Sequence, residues 1–294
     1  MYKSQSKLLH LQRCVLAFAF FPLSSCTGHI GQEQAGTQSA RPEITEFMAE
    51  PAILVFSKTA GWRHNEGIAG ADLFFAELAA EKNYGLFTTV NSAVFNADDL
   101  KRFEVVIFNN VTGNALADDE KAAFKTWMDE GGAWIGLHGS GDSSLEPWGW
   151  YQDNLAGTDF IGHIMAPQFQ NARLEALAPD HSILDGVATD WEQTDEWYSF
   201  SKVPDIPGLI LLVGLDETTY SPTNTVVQTW PQDLRMGPDA ADHPVIWAAC
   251  DSALGYKAVY SALGHGFEAY RNPNYQTLLS NAFDWVSGPK DSCD

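Results

Sequence analysis

Three short runs dominate what this chain can fold into. Ala52-Ile-Leu-Val-Phe56, Val105-Val-Ile-Phe108 and Ala133-Trp-Ile-Gly-Leu137 are continuously apolar and rich in β-branched residues. A strand that is apolar on both faces must be covered on both faces, which is the situation of a parallel sheet between helical layers. The intervening segments supply those helices. Ile68, Ala69, Leu73, Phe74, Leu78 and Ala79 recur at helical spacing up to Lys82, and Asp118-Asp119 open a second helix that carries Ala122, Ala123, Trp127 and Met128 and stops at Gly131-Gly132. Leu86–Val90 reads as a further strand, as do Leu209–Val213, Val245–Ala249 and Ala258–Leu263, and Pro273–Val286 as a closing helix. The alternation predicts an α/β three-layer sandwich with a doubly wound, mostly parallel sheet. Between Trp148 and Phe200 no period emerges, and the region reads as a long insertion within one domain spanning residues 51–288.

The residues before this domain have another character. Lys3, Lys7 and Arg13 precede the apolar run Cys14–Phe21, which is too short to span a bilayer, and Leu23-Ser-Ser-Cys26 follows. This order resembles the lipobox of bacterial lipoproteins. It implies a signal peptide over 1–25, cleavage before Cys26 and acylation of that residue, with anchoring by lipid alone. Thr27 in place of Asp points to the outer membrane. Residues 26–50, rich in Gly, Gln, Ser, Thr and Ala, read as a flexible tether. Loss of the three basic residues with the leader takes the formal net charge from −21 to −24. Such a surface repels nucleic acid, and no Walker loop or GxGxxG after a strand argues for nucleotide binding. Cys250 and Cys293 either pair in an oxidising compartment or leave Cys250 a buried thiol.

In an open α/β sheet, ligands bind beyond the carboxyl ends of the strands. Those ends deliver Lys58, Trp62, Arg63 and His64; Asn109 and Asn110; His138, Ser140 and Asp142; and His265. Histidines far apart in sequence thus meet at one predicted rim. Asp195-Glu196-Trp197-Tyr198 adds two carboxylates and two aromatic rings; adjacent strand residues face opposite ways, so Glu196 is the carboxylate assigned to the pocket. Trp62, Trp148, Trp150 and Trp197 fall in loops near it and could stack on sugar C–H faces, whereas Trp127, Trp134 and Trp285 read as core. His181 reads as the start of a surface turn and His243 as a fixture of strand entry.

The segments Val55–His64, Gly131–His138, Thr194–Tyr198, Asp242–Trp247 and Tyr260–His265, in this order between about residues 52 and 287, resemble the motif series of the ThuA-like (trehalose utilisation) family. The resemblance implies a flavodoxin-like fold similar to class I glutamine amidotransferases, and a carbohydrate as small-molecule partner. It also marks His163, in Asp159-Phe-Ile-Gly-His163, as a pocket residue. Where an amidotransferase carries its nucleophilic cysteine this chain has His138, and His265-Gly-Phe-Glu268 stands one residue longer than the amidotransferase His-x-Glu. Glutaminase chemistry is therefore not expected. A Ser140 nucleophile is disfavoured because Leu137 breaks the Gly-x-Ser-x-Gly frame. Two chemistries remain. His138 and His265 could exchange protons with Glu196 as orienting group, while Lys58, Arg63, His64, Asn110, Ser140, His163, Trp62, Trp197 and Tyr198 hold substrate. Alternatively His64, His138, His163 and His265 could ligate a divalent transition metal such as zinc. The expected activity is a hydrolase or lyase acting on a sugar; a non-enzymatic carbohydrate- or protein-binding module at the cell surface is the alternative. Oligomeric state is left open.

Overall fold

A computed structural model describes residues 40–46, 48–142, 148–251, 255–290 and 293, all within one compact unit, Gln38–Asp294. The leader, Cys26 and most of the expected tether lie outside the described residues.

The strands are β1 (Ala52–Phe56), β2 (Gly85–Thr89), β3 (Val105–Asn109), β4 (Ala133–Leu137), β5 (Phe160–His163), β6 (Gln170–Ala176), β7 (Asp190–Asp195), β8 (Tyr198–Phe200), β9 (Leu209–Leu215), β10 (Pro244–Asp251) and β11 (Tyr256–Ser261). The helices are α1 (Asn65–Lys82), α2 (Ala97–Leu100), α3 (Asp118–Asp129), α4 (Gly149–Tyr151) and α5 (Pro273–Ser287). One sheet runs β2-β1-β3-β4-β11-β10-β9-β6-β7, and β5 pairs with β8 in a separate two-stranded sheet. From β2 to β11 every pairing is parallel, in the flavodoxin-like order that reverses direction at β1 and β3. Every residue of β1, β3 and β4 is buried, as their uninterrupted apolar runs require. On one face α1 and α5 lie together, joined by Lys82 to Asp284 at 2.7 Å and by the Tyr84 and Phe283 rings. On the other, Phe95 and Phe108 pack edge-on and tilted against Phe124 of α3, and Phe56 packs on Phe95. Local chemistry sets the helix ends. Asn83 takes the left-handed conformation after α1 (φ 60°), and Asn272 caps α5 ahead of Pro273 by accepting from Asn274 N.

Beyond β11 the sheet departs from the expected parallel pattern. β10, β9, β6 and β7 are each antiparallel to their neighbours. The aperiodic insertion contains β6 and β7 of this sheet and the separate pair β5 and β8, none of which the sequence revealed. β7 alternates exposed and buried residues over Asp190–Asp195, but with polar side chains on both faces, so no hydrophobic rhythm marks it. The tether is also shorter than its composition suggests. Residues 40–46 and 48–50 strap the β2 edge: Arg41 Nε donates to Asp99 Oδ2 (2.6 Å), Ile44 enters the core, and Arg102 Nη2 donates to the Thr45 carbonyl (2.9 Å). Cys250 and Cys293 form a disulfide across 43 residues. Among the described residues no helix is long and apolar enough to cross a membrane.

Candidate active site

Three parallel strands each aim one imidazole at the same point. His64 ends the β1–α1 loop, His138 follows β4 directly, and His265 follows β11. His138 occupies a tight turn with φ 39°, a left-handed conformation that a non-glycine residue adopts at a cost. The next residue must be small: a Cβ on Gly139 would sit 2.9 Å from His64 Nδ1. The strained turn and its glycine therefore hold the two rings together, with centroids 4.8 Å apart.

Glu196 closes the cluster from the β7–β8 junction. Its Oε2 lies 2.9 Å from His265 Nδ1 and 3.3 Å from His138 Nε2, and those two nitrogens are 3.1 Å apart. Its Oε1 accepts from Gln168 Nε2 (2.6 Å) and lies 3.1 Å from His163 Nδ1. Asp195, facing the opposite way as strand alternation requires, accepts from the backbone N–H groups of Gly264 (2.8 Å) and His265 (3.2 Å) and so pins the β11 loop to the β7 end. His138 Nδ1 donates to the Ala262 carbonyl at 2.6 Å, which leaves Nε2 to face the cluster. His64 is buried; its Nδ1 has no hydrogen-bond partner, and Tyr198 Oη stands 3.4 Å from its Nε2.

The electrostatics follow from this crowding. Burial, then the neighbouring His138 and His265, push the His64 pKa down to about 2. Burial also opposes protonation of His138, but the Glu196 hydrogen bond and charge outweigh it and raise its pKa. Burial disfavours the Glu196 carboxylate as well, yet hydrogen bonds from His138 and His265 hold its pKa below the usual carboxylate range. Burial lowers the pKa of His163.

One ligand atom from each of His64, His138, Glu196 and His265 lies within 4.8 Å of the others. Metal–ligand bonds of about 2.0–2.2 Å at roughly tetrahedral to octahedral angles separate ligand atoms by about 3–3.5 Å. The Glu196–His138–His265 triangle, with edges of 2.9, 3.3 and 3.1 Å, has that size. A proton on His138 Nε2 would stand where a cation would. The three-imidazole, one-carboxylate set and the orphaned nitrogen of His64 thus fit a divalent transition metal.

Above the cluster opens a cavity of about 320 Å³, walled by Phe160, Tyr198 and Trp230 and lined also by Trp62, Asp142 and Gln168. His64, His163, His265, Glu196, Tyr198 and Trp62 line it as the sequence suggests; His138 lies beneath them, fully buried. Other expected residues do not line it. Asn110 is buried and bonds to Asn109 Oδ1, Ser140 Oγ donates to the Phe108 carbonyl, and Trp197 Nε1 donates to the Gln170 carbonyl. Lys58 reaches Ser92 Oγ, and Arg63 folds back on the Ser57 carbonyl and Asn65. Trp148 and Trp150 pack against Phe124 instead. Each of these side chains is committed to holding loops or core. His243 bridges Glu217 and the Tyr198 carbonyl, and His181 caps a short turn through Ile183 N, both structural as expected. Phe160 and Gln168 were missed because they come from the aperiodic insertion, and Trp230 because it comes from the irregular segment between β9 and β10; in neither does a period tell which turns reach the rim.

The sequence matches the ThuA family model, described as trehalose utilisation, over residues 52–286. Among solved structures, a ThuA-like protein from Bacteroides uniformis ATCC 8492 is 22% identical, with 85% of this chain and 98% of that chain covered and a TM-score of 0.66. A ThuA-like protein from Parabacteroides merdae ATCC 43184 is 12% identical over 80% and 89% of the two chains, with a TM-score of 0.57. No curated protein matches. The likeness to the two solved structures is one of fold, and the match over 52–286 carries the assignment: the chain belongs to the ThuA family.

Proposed function

We propose that this protein is a metal-dependent hydrolase or lyase acting on a carbohydrate outside the cytoplasm. The observation that carries the reading is the triangle of ligand atoms from His138, His265 and Glu196 beside a buried His64 nitrogen without a partner. His64, His138, His265 and Glu196 would hold the ion. Bound there, a divalent transition metal would polarise a sugar oxygen and acidify a coordinated water.

The chain's own residues do the rest. The Ala262 carbonyl fixes the tautomer of His138, Gln168 and His163 orient Glu196, and Asp195 holds the His265 backbone. Asp142 and His163 line the cavity outside the ligand set and are placed to move protons of the substrate. Phe160, Tyr198 and Trp230 offer ring faces to sugar C–H bonds and exclude water. The family description supports a sugar as substrate. Export and lipid anchoring at Cys26 rest on the order of basic, apolar and cysteine segments, and the Cys250–Cys293 bridge suits an oxidising compartment.

Elemental analysis and calorimetry with zinc test the proposal. One metal equivalent per chain is expected, with affinity reduced more than about a hundredfold by His138→Ala. A protein that binds no divalent transition metal retires the reading. Turnover that survives complete metal removal assigns the chemistry to proton transfer among the same residues.

A further inference from the structure

The large apolar side chains that the described surface leaves exposed are not scattered. Trp62 (73% exposed), Phe169 (42%) and Met165 (37%) are three of six, and all stand around one opening. Trp62 and Met165 line the cavity, and the Phe169 ring lies edge-on to His265 at 5.0 Å. The backbone beneath Trp62 is fixed. Ala60 N donates to the Thr112 carbonyl (2.7 Å), Thr112 Oγ1 donates to the Trp62 carbonyl (2.8 Å), and Gly113 approaches so closely that a Cβ there would meet Gly61 N at 2.6 Å. A rigid loop thus holds an indole out in water, two residues from His64. Exposing so large a ring forgoes burial that the fold could otherwise gain.

The cavity of about 320 Å³ is at the small end of ligand sites, about 300–1,000 Å³, so a ligand that outgrows it leaves through this opening. What it meets there is an indole, a phenyl and a thioether. Such a surface buries a flat apolar group well, whereas a second sugar would use only its C–H faces against the rings and leave most of its hydroxyls to solvent. A membrane is a poorer occupant: the formal charge of −21 repels anionic headgroups.

Resting on the carbohydrate reading above, we propose that Trp62, Phe169 and Met165 form a distal subsite for an aromatic aglycone. The preferred ligand is then an aryl glycoside rather than a free sugar or a sugar–sugar disaccharide. Trp62 is the specificity-determining residue.

Calorimetry on the zinc-loaded protein compares both anomers of p-nitrophenyl and methyl D-glucopyranoside, and trehalose. The aryl glucoside should bind about three- to tenfold more tightly than its methyl counterpart. Trp62→Ala should erase that ratio, with zinc stoichiometry reporting an intact fold. Equal affinities, tighter binding of trehalose, or a ratio that survives Trp62→Ala overturns the subsite while leaving the carbohydrate reading standing. Wild-type protein that binds none of these sugars overturns both. Trp62-dependent binding to phosphatidylglycerol vesicles, without aryl preference, gives the patch to a membrane and overturns the subsite alone.

Discussion

A histidine that cannot be protonated is a debt to folding in acid. The native pKa of His64 is about 2, against an ordinary 6.5. The unfolded chain therefore takes up the proton first, and the stability this residue supports above pH 6.5 is lost as pH falls towards 2. His138 is shifted the other way, so its contribution grows as pH drops and is fully present below 6.5. Below that point His64 governs the slope, joined by Glu196 once pH falls under the ordinary carboxylate value. For chelated protein, His64 alone should cost about 2 kcal/mol between pH 7 and pH 5. Urea titrations of wild type and His64→Gln at both pH values measure this; parallel lines would refute it. At this scale the sequence was informative where a residue follows a strand directly. His64, His138 and His265 were legible because strand ends are legible. Lys58, Asn110 and Ser140 follow strands too, yet their side chains turn back to Ser92, Asn109 and the Phe108 carbonyl. That choice depends on partners distant in sequence.

Among the elements, the strap formed by residues 40–46 and 48–50 has the clearest energetic consequence. Ile44 is in the core, and Arg41 pairs with the buried Asp99 beside the cap of α2. Protein beginning at Pro51 would expose that apolar contact and leave Asp99 without its guanidinium. Relative to protein beginning at Gln38, a loss of about 2–4 kcal/mol is expected in denaturant unfolding; equal midpoints would mean the strap contributes nothing. Composition alone assigned these residues to a tether because one isoleucine and one arginine make no periodic signal. β1, β3 and β4 were legible for the opposite reason, since burial on both faces writes itself into every position. β5 to β8 were not: β7 buries only alternate residues and some of those are polar, and β5 and β8, at four and three residues, are too short to show a period.

Over the whole molecule, the disulfide ties the antiparallel half to the C-terminal end of the chain beyond α5. Closing a 43-residue loop constrains the unfolded ensemble. Cys250→Ser should lower stability by about 2–4 kcal/mol, seen as a shift of the urea midpoint that wild type reproduces under reducing conditions. An unchanged midpoint would remove the bridge from the account of stability. The parallel half of the sheet, from β2 to β11, was readable; in its antiparallel continuation β9 and β10 were readable as strands but their direction was not, because hairpins such as β10–β11 lack the helical crossovers that announce a parallel neighbour.

The cavity is assembled from two sources. Its three imidazoles hang from strands of the parallel half, while Phe160, His163 and Gln168 from the insertion and Trp230 from the β9–β10 segment close over them like a separately cut roof. Asp195 and Glu196 are the hinge pins between the two. Evolution can therefore redraw the roof, and with it the range of molecules admitted, while the reactive floor stays as it is.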